Sequence, residues 1–363
     1  MNSYPLFEKY PDLEKNLPFV SLGIYPTPVQ ELRGLSETCS VYIKRDDLSG
    51  EEYGGNKVRK LEFALGEALQ KGYQEVLTFG GAGSNHALAT GIYAKKLGME
   101  SYSILQTQHN ARYVRNNLLK SLYYGIPVFH CEDMDEMLAK AKELQTINRS
   151  EKGRSIYEIA AGGSNPLGTV GFVNAAFELH QQVERGEMPE PDYVFTAAGT
   201  IGTAAGLTVG FDLAGMKTKV MTVRVAGETY MNEKLFAGLM NETILLMHHA
   251  DPTVPIRKYT DEDVHIISQF YGGDYALFTP EGMAAIDLMK EKFGITLDGT
   301  YTGKTCAAML AGIQKPEAAG KVFLFWNTLN SKPAPEDLDK LDYHDLPEAF
   351  HVYFETDVQP LDR

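Results

Sequence analysis

The stretch YGGNKVRKLEF, residues 53–63, places a lysine directly after two glycines and an asparagine. The apolar residues that follow recur at helical spacing, which predicts an amphipathic helix beginning near Lys57. Lys57, Arg59 and Lys60 then share its first turn. Because this end of the helix dipole is positive, each cation there costs roughly a few tenths of a kcal/mol or more. The pattern predicts an anionic ligand facing these cations.

A second glycine-rich junction, FGGAGSNHA, joins a short apolar run to a helical pattern. Its glycines permit a tight turn, and the backbone amides at the helix start could bind an anion such as a carboxylate. It is a poor dinucleotide-binding fingerprint, because a histidine replaces the third glycine of GxGxxG. The residues concerned are Gly80, Gly81, Gly83, Ser84, Asn85 and His86.

The third junction, AAGTIGTAAG, has the same strand, glycine turn and helix order. The hydroxyls of Thr200 and Thr203, together with the amides around Gly199 and Gly202, predict a small cup for a phosphate group. The segment lacks the GK[ST] of a P-loop, so we do not expect an ATP site.

Each junction alone also has a structural interpretation, because glycine-rich turns connect strands to helices in many α/β proteins. Ser84 is then only a helix cap, and His86 a hydrogen-bonded polar residue. Two anion cups and a basic helix start in one chain favour a ligand instead. They fit pyridoxal phosphate, which carries a phosphate and a lysine-reactive aldehyde, together with a carboxylate substrate. A nucleotide-binding protein remains the alternative.

The elements that must position these residues alternate between strands and helices. Short runs that are continuously apolar, as in strands buried on both faces of a parallel sheet, precede helical patterns. We therefore predict an α/β fold of mostly parallel sheets flanked by helices. The predicted strands lie in EVLTFGG, ESYSILQ, IPVFHC, YVFTAAG, KVMTVRVAG and KVFLFWN.

Composition narrows the class of protein. A chain of 363 residues with 44% hydrophobic residues is long enough for two domains. A net charge of −14 argues against nucleic acid as a partner. The charged N-terminus does not resemble a signal peptide, and no apolar run approaches the ~18 residues of a membrane span, so we expect a soluble cytoplasmic protein. Cys39, Cys131 and Cys306 form no CxxC, and the histidines show no ligand spacing, so we predict neither disulfides nor a metal.

Four segments together resemble one enzyme group. GGNKVRKLE, GGAGSNHALATGIYAKKLGM, AAGTIGTAAGL and DGTYTGKTCAAM are similar to motifs of the D-cysteine desulfhydrase and 1-aminocyclopropane-1-carboxylate deaminase group. These are pyridoxal phosphate enzymes with the tryptophan synthase β-subunit fold, called fold type II. The resemblance runs from about Pro26 to Thr328. The segment from about Glu228 to Pro255 and the C-terminal arm match nothing in the group.

The resemblance implies an architecture with the cofactor in a cleft between two α/β domains. The small domain is expected at residues 61–163, and the large domain at 1–60 plus 164–330. Residues 331–363 are predicted to form an arm packed on a surface. A homodimer is implied by the resemblance alone.

The resemblance also implies roles for individual residues. Lys57 resembles the Schiff-base lysine, which can act as general base once released, and Lys60 resembles a phosphate contact. Tyr275 and Tyr301 resemble two tyrosines near the reacting substrate, so the catalytic set is expected to be Lys57, Ser84, Tyr275 and Tyr301. The expected cofactor-binding set is Lys57, Lys60, Asn85, Gly199, Thr200, Ile201, Gly202, Thr203, Thr302 and Thr328, and the substrate-binding set is Ser84, Asn85 and His86.

The substrate is expected from residues near the cofactor ring. Ring-opening deaminases of the group tend to carry Glu and Leu where this chain has Thr302 and Thr328, whereas desulfhydrase-like members carry Ser or Thr. A neutral hydroxyl gives a weaker electron sink than a carboxylate, which suits loss of a thiolate. We predict β-elimination from D-cysteine to pyruvate, sulfide and ammonia.

Departures from the group keep other substrates open. Gly83 stands where the group usually has Gln, and NTLN, residues 327–330, replaces HTGG. The alternatives are 1-aminocyclopropane-1-carboxylate, another β-substituted amino acid such as β-chloroalanine or cysteate, and a catalytically silent carrier of pyridoxal phosphate.

Overall fold

A computed structural model describes residues 4–362 of the chain. The strands are β1 (Val29–Glu31), β2 (Ser40–Lys44), β3 (Glu75–Gly81), β4 (Glu100–Gln106), β5 (Val128–Cys131), β6 (Tyr157–Ile159), β7 (Tyr193–Ala198), β8 (Lys219–Arg224), β9 (His265–Ile267) and β10 (Val322–Trp326). The α-helices are α1 (Pro5–Lys9), α2 (Pro11–Asn16), α3 (Lys57–Gln70), α4 (Asn85–Lys96), α5 (Arg112–Tyr123), α6 (Met134–Lys152), α7 (Pro166–Glu184), α8 (Gly202–Leu213), α9 (Glu233–Ala250), α10 (Pro280–Phe293), α11 (Thr302–Ile313) and α12 (Val352–Glu355).

Two sheets organise these elements. The larger has six strands in the order β1-β2-β10-β7-β8-β9, and only its β1–β2 pair is antiparallel. The smaller has four parallel strands in the order β5-β4-β3-β6. The α/β class predicted from continuous apolar runs is therefore confirmed, and all six predicted strands are present. The short strands β1, β2, β6 and β9 were not predicted.

Helices cover both faces of the larger sheet. Alternate residues of β10 point to opposite sides, as strand geometry requires. Leu324 and Trp326 pack in a core with residues of α7, α8 and α9, whereas Phe323 and Phe325 pack in a second core with residues of α10 and α11. Burial on both faces explains why this strand shows a continuous apolar run rather than an alternating one.

The smaller sheet lies entirely between residues 75 and 159 and is also covered on both faces. Val76 packs with apolar residues of α3 and α4, while Leu77 packs with Met137 and Ala141 of α6. The predicted domain boundary between residues 60 and 61 falls inside α3, near its start. The division into domains stays a prediction, although each sheet falls wholly on one side of the predicted limits.

The two segments without a counterpart in the resemblance both fold against the rest of the chain. Asn232 caps α9, and Phe236 and Met240 of this helix enter the core of the larger sheet. In the C-terminal arm, Leu346, Phe350 and Tyr353 are buried in a cluster with residues of α5.

Several other features concern the class of protein. Within residues 4–362, no helix has the length and apolar character needed to cross a membrane. Over the same residues, no group of three or more His, Cys, Asp or Glu side chains could hold a metal ion. The three cysteines are free thiols.

Candidate active site

A cavity of about 600 Å³ lies where the carboxyl ends of β3 and β7 face each other. Ligands of parallel α/β folds bind at such ends, because the loops that follow the strands converge there. The three glycine junctions of the sequence all line this cavity. Of the predicted site residues, those in its lining are Lys57, Lys60, Ser84, Asn85, His86, Gly199, Thr200, Ile201, Thr203, Tyr275, Tyr301 and Thr328.

The first turn of α3 divides its three cations between two environments. Residues three apart lie on one helix face, so Lys57 and Lys60 both reach the cavity. Arg59 points away. The prediction that Arg59 faces the anionic ligand is wrong. Its guanidinium is fully buried and donates to Asp46 at 2.7 Å and to Glu178 at 2.9 Å.

Within residues 4–362, neither of the two cavity lysines forms an ion pair that would favour its charged form. Burial lowers the pKa of Lys57, which is half-buried, to about 8. Burial, and then the charge of Lys57, holds the pKa of Lys60 well below its ordinary value. Because an anion beside them would favour their charged forms, the pair is suited to an anionic ligand.

Lys60 points into the phosphate cup that the third junction predicted. Its Nζ donates to Ser164 Oγ at 3.0 Å and to the carbonyl of Gly162 at 3.1 Å. Ser164 Oγ lies 2.8 Å from Thr200 Oγ1. Ser164 was not predicted, and its one signal in the sequence is a further glycine pair, Gly162 and Gly163, directly before it.

Close approach explains the glycines of this cup. A Cβ atom on Gly202 would lie 2.6 Å from Ser164 Oγ and 3.0 Å from Lys60 Nζ. Gly202 is thus a neighbour of the cup, although it does not line the cavity itself. Ile201 adopts a φ of 52°, a rare value for a β-branched residue and one that is found where function demands it. The amide of Gly202 donates to the carbonyl of Thr200, whereas the amides of Thr203 and Ala204 have no partner within the helix, so these two can bind a phosphate.

Asn85 is oriented by two donors. Its Oδ1 accepts hydrogen bonds from the Tyr53 hydroxyl and from Asn117 Nδ2, both at 2.9 Å. The carbonyl side of the amide is therefore occupied, and the NH₂ group is the part of Asn85 that can serve a ligand as donor. A donor here fits the cofactor-binding role that the resemblance implies for Asn85.

The start of α4 uses its polar residues partly for structure. Ser84 caps the helix, since its Oγ accepts from the amide of Ala87 at 3.2 Å. His86 is buried, and its Nε2 lies 2.9 Å from Thr78 Oγ1, which in turn donates to the carbonyl of Ile159. Burial holds the pKa of His86 well below its ordinary value, so the ring is neutral. This placement favours the structural interpretation of His86.

Gln108, which was not predicted, covers the position of Gly83. Gln108 Oε1 accepts from the Gly83 amide at 2.8 Å, and its Nε2 donates to the Tyr113 hydroxyl at 2.8 Å. A Cβ atom on Gly83 would meet Tyr113 at 2.7 Å. The glutamine that the resemblance leads us to expect at position 83 thus has no room here. Gln108, two residues after the end of β4, lies in the cavity wall instead.

Tyr275 and Tyr301 are brought together as expected from their roles. Their hydroxyl oxygens are 2.5 Å apart, although the residues are 26 positions apart in the chain. Burial raises the pKa of both phenols, and that of Tyr301 lies well above its ordinary value. Both therefore stay protonated at neutral pH and can donate a hydrogen bond.

The hydroxyl of Thr302 has a different partner from the one expected. It donates to Asp298 Oδ2 at 2.6 Å, and Thr302 does not line the cavity. Asp298 does line it, and its two oxygens also accept from the amides of Thr300, Tyr301 and Thr302. The sequence reasoning missed this carboxylate, although the Asp-Gly-Thr order before a helix is a capping signal.

Thr328 lies on the cavity wall beside the first junction. Its carbonyl accepts from the amide of Asn56 at 3.2 Å, and Asn330 Oδ1 accepts from the amide of Gly54 at 2.7 Å. The altered NTLN segment therefore holds the loop that precedes Lys57.

Comparisons with known proteins identify the family of the chain. A model of the family described as pyridoxal-phosphate dependent enzyme matches residues 20–328. A putative 1-aminocyclopropane-1-carboxylate deaminase of Pyrococcus furiosus is 33% identical over 326 residues, 88% of this chain and 94% of that protein. A D-cysteine desulfhydrase of Serratia proteamaculans is 31% identical over 297 residues, 79% of this chain and 86% of that protein.

Solved structures give the same result. The crystal structure of a homologue of ACC deaminase is similar with a TM-score of 0.76 and 30% identity, covering 94% of this chain and 98% of that one. Threonine deaminase isoform 2 of Solanum lycopersicum, at 16% identity and a TM-score of 0.58, covers 94% of this chain and 88% of its own and shares the fold. The chain therefore belongs to the pyridoxal-phosphate dependent enzymes of fold type II, in the family of the 1-aminocyclopropane-1-carboxylate deaminases and D-cysteine desulfhydrases, and its cofactor is pyridoxal phosphate.

Proposed function

We propose that this enzyme removes the thiol and the amino group of D-cysteine and, with one water, yields pyruvate, sulfide and ammonia. The observation that carries the proposal is the meeting in one cavity of an amine of lowered pKa, a phosphate cup and a pair of protonated phenols. These are the groups that a β-elimination requires from the protein.

The residues of the cavity fit the cofactor. Lys60, Ser164, Thr200 and the amides of Thr203 and Ala204 would form a donor set for its phosphate, and the Lys57 amine, which lines the same cavity, would bond its aldehyde carbon. The NH₂ group of Asn85 is the donor available for the ring oxygen. When bound, the cofactor withdraws electrons from the α-carbon of an amino acid, which makes the α-proton acidic.

Two roles in the elimination fall to the protein. Lys57 takes the α-proton as general base, since an amine with a pKa of about 8 titrates close to neutral pH. Tyr275 and Tyr301 share a hydrogen bond and stay protonated, so one of the two phenols donates a hydrogen bond to the sulfur, which leaves as hydrosulfide. In this assignment Lys57 is the base and the tyrosine pair is the hydrogen-bond donor to the leaving group.

The substrate carboxylate is assigned to the start of α4. The amide of Gly83 is engaged by Gln108, and that of Ser84 donates to the carbonyl of Gly81 at 2.9 Å. The amides of Asn85 and His86, which have no partner within the helix, remain to bind the carboxylate. Ser84 Oγ, on the cavity wall, is a further donor for it.

Within residues 4–362, the two carboxylates that line the cavity, Asp274 and Asp298, both have partners in the protein, which supports a preference for a thiol substrate. Thr328 offers a neutral hydroxyl, and both oxygens of Asp298 are engaged at the start of α11. A neutral partner leaves a weaker electron sink, which suits loss of a thiolate more than opening of a cyclopropane ring.

Ring opening of 1-aminocyclopropane-1-carboxylate is the second candidate. The observation in its favour is the identity of 33% and 34% to putative deaminases of two Pyrococcus species. It would release 2-oxobutanoate and ammonia without sulfide, so products distinguish the two reactions.

The test is an assay of purified holoenzyme with D-cysteine, L-cysteine, β-chloroalanine, cysteate and 1-aminocyclopropane-1-carboxylate side by side. We expect sulfide and pyruvate in equal amounts from D-cysteine, and little 2-oxobutanoate. Lys57→Ala protein controls for spontaneous breakdown of cysteine with free cofactor. Efficient release of 2-oxobutanoate without sulfide from cysteine contradicts the proposal, and no product from any compound indicates a silent carrier.

A homodimer and a cytoplasmic location remain predictions. Size-exclusion chromatography with light scattering tests the first, where a mass near twice the 40.2 kDa of the chain is expected. Fractionation of cells that produce the full chain tests the second.

A further inference from the structure

We infer that the C-terminal arm completes the active site, and that Gln359 is a positioning residue for Tyr275. The inference rests on the proposed function in one respect: it assumes that Tyr275 contacts the leaving group during the elimination. It concerns a segment, residues 331–362, that lies outside the part of the chain matched by the family model.

The side-chain amide of Gln359 holds the backbone directly after Tyr275. Its Oε1 accepts from the amide of Phe278 at 2.7 Å, and its Nε2 donates to the carbonyl of Ala276 at 3.0 Å. The side-chain amide of Gln359 thus accepts from one backbone N–H and donates to a backbone carbonyl two residues away, as the backbone of a neighbouring β-strand would. Both groups belong to buried residues, so loss of Gln359 leaves them without these partners in the interior.

The segment held by Gln359 has little structure of its own. Between β9 and α10 the chain forms no regular element, and Gly272 and Gly273 are exposed with φ of 81° and 94°. Ala276 has a φ of 63°, which a residue with a Cβ rarely adopts without support. A second anchor lies at the other end, where Lys304 Nζ donates to the carbonyl of Tyr271 at 2.5 Å.

The arm can serve as a support because it is itself fixed on α5. Arg115 donates to the carbonyls of Tyr353 and Thr356 at 2.6 and 2.7 Å. Phe350 is fully buried, and the backbone amide of Gln359 donates to the carbonyl of Asn110 at 3.0 Å. The arm therefore bridges the two walls of the cavity: it rests on the side of the smaller sheet and holds the segment that carries Tyr275 on the other.

Hydrogen exchange tests the positioning directly and does not depend on the substrate. The Phe278 amide donates to Gln359 Oε1, so we expect its exchange to be slow in the wild-type holoenzyme. We expect Gln359→Ala to speed exchange in a peptide covering residues 274–279 by at least about tenfold, with the peptides of β7 and β10 unchanged. Gln181→Ala is the matched control, because this glutamine bonds only Glu8 through its side chain and lies outside the cavity. Unchanged exchange in Gln359→Ala overturns the inference, whatever the enzyme acts on.

Kinetics test the link to Tyr275. We expect Gln359→Ala to lower kcat by on the order of tenfold with a smaller change in KM, while the visible absorption of the bound cofactor is retained. In a Tyr275→Phe background the same substitution should have no further effect on kcat, because its target is gone. Losses that multiply in the double variant overturn the route through Tyr275.

A second variant covers the case in which Gln359→Ala does not fold. Gln359→Glu keeps an acceptor for the Phe278 amide but, when ionised, has no donor for the Ala276 carbonyl. We expect intermediate exchange and intermediate kcat, and wild-type values for both contradict the inference. If D-cysteine is not the substrate, the same double-mutant cycle is run with whichever amino acid the enzyme turns over. The exchange experiment needs no substrate, so faster exchange in Gln359→Ala supports the inference even if the proposed function fails.

Discussion

Lys57 combines two properties that the reaction needs, because it stands at the first position of a helix and its burial lowers the pKa of the amine to about 8. We expect Lys57→Ala to lower kcat by at least about 100-fold, the contribution typical of a general base, while circular dichroism and thermal unfolding remain those of the wild type. Lys71→Ala, an exposed position after the same helix, is the control. Turnover near the normal rate in Lys57→Ala would falsify the assignment.

We predict that Lys60 binds the other end of the cofactor, its phosphate group. Its ammonium is buried against Ser164 and the carbonyl of Gly162, where one charge-assisted bond to a phosphate contributes roughly 1.5 to 3 kcal/mol. We expect Lys60→Met to raise the Kd for pyridoxal phosphate by roughly 10- to 100-fold, measured by titration of the apoenzyme followed by cofactor fluorescence. Lys95→Met on the outside of α4 should leave Kd unchanged, and an unchanged Kd in Lys60→Met removes Lys60 from the phosphate site.

At the scale of elements, a buried ion cluster joins β2, α3 and α7 behind the site. Glu178 accepts from Lys44 Nζ at 2.6 Å and from Arg59 Nη1 at 2.9 Å, and all three side chains are buried. The two cations hold the pKa of Glu178 at about 2 against the opposing effect of burial. Breaking such a cluster leaves buried charges without partners.

We therefore expect Glu178→Gln to lower the free energy of unfolding by about 3 to 5 kcal/mol, measured by urea denaturation at pH 7. Glu184→Gln is the matched control, because Glu184 lies on the exposed face of the same helix. A loss below roughly 1 kcal/mol in Glu178→Gln would show that the cluster does not hold these elements together.

Glu62 ties α3 to the N-terminal segment and makes stability depend on pH. Its Oε1 accepts from the amides of Leu22 and Gly23 and from the Tyr4 hydroxyl, yet burial raises its pKa from 4.5 to about 7. Because the folded-state pKa is the higher one, folding takes up a proton between these values. The free energy of unfolding therefore falls as the pH rises from about 4.5 through 7.

Glu62→Gln keeps the oxygen that accepts all three bonds and removes the titration. We expect the variant to lose this pH dependence and, at pH 8, to be more stable than the wild type by up to roughly 3 kcal/mol. Urea midpoints measured from pH 5 to 8 test this, with Glu242→Gln as an exposed control on α9. Equal slopes in Glu62→Gln and wild type would contradict it.

At the scale of the whole molecule, the cavity proposed for the cofactor is lined by residues from the ends of both sheets, so the bound cofactor should stabilise the two sheets together. We expect pyridoxal phosphate at 100 times its Kd to raise the free energy of unfolding by about 2.7 kcal/mol, as ligand linkage requires. The measurement is urea denaturation of apoenzyme with and without cofactor. Lys60→Met at the same cofactor concentration should gain less, and an equal midpoint for apo and holo wild type would place the cofactor elsewhere.

Local signals explain which parts of the site could be predicted from sequence. Lys57, Asn85 and the loop at residues 199–203 each stand at a glycine turn between a strand and a helix, and such turns are encoded by neighbours in the chain. The continuous apolar runs of buried parallel strands are equally local. The α/β class and the three ligand-binding junctions thus follow from the sequence itself.

Long-range contacts explain what could not be predicted. Gln108 reaches Gly83, Ser164 reaches Lys60, and Gln359 reaches Ala276, over separations of 25, 104 and 83 residues. No local pattern marks an amide or hydroxyl for a partner that distant. The three-residue strands β1, β6 and β9 each pair with a longer neighbour, and that pairing is not visible in the local sequence.

The first turn of α3 separates what the sequence alone can predict from what the tertiary structure decides. Its composition alone predicted an anion near three cations, and its helical period places Lys57 and Lys60 on one face. Which face meets the cavity, and which meets Asp46 and Glu178, depends on how α3 packs against α7 and the larger sheet. The sequence by itself determined the fold class and the cofactor, and it singled out Lys57 as the lysine predicted to bond that cofactor, because these depend on local order along the chain. Only the tertiary structure decided the partners of Arg59, Thr302 and Tyr275, because a side chain's charge or hydroxyl acts on whatever the folded chain brings within hydrogen-bonding distance.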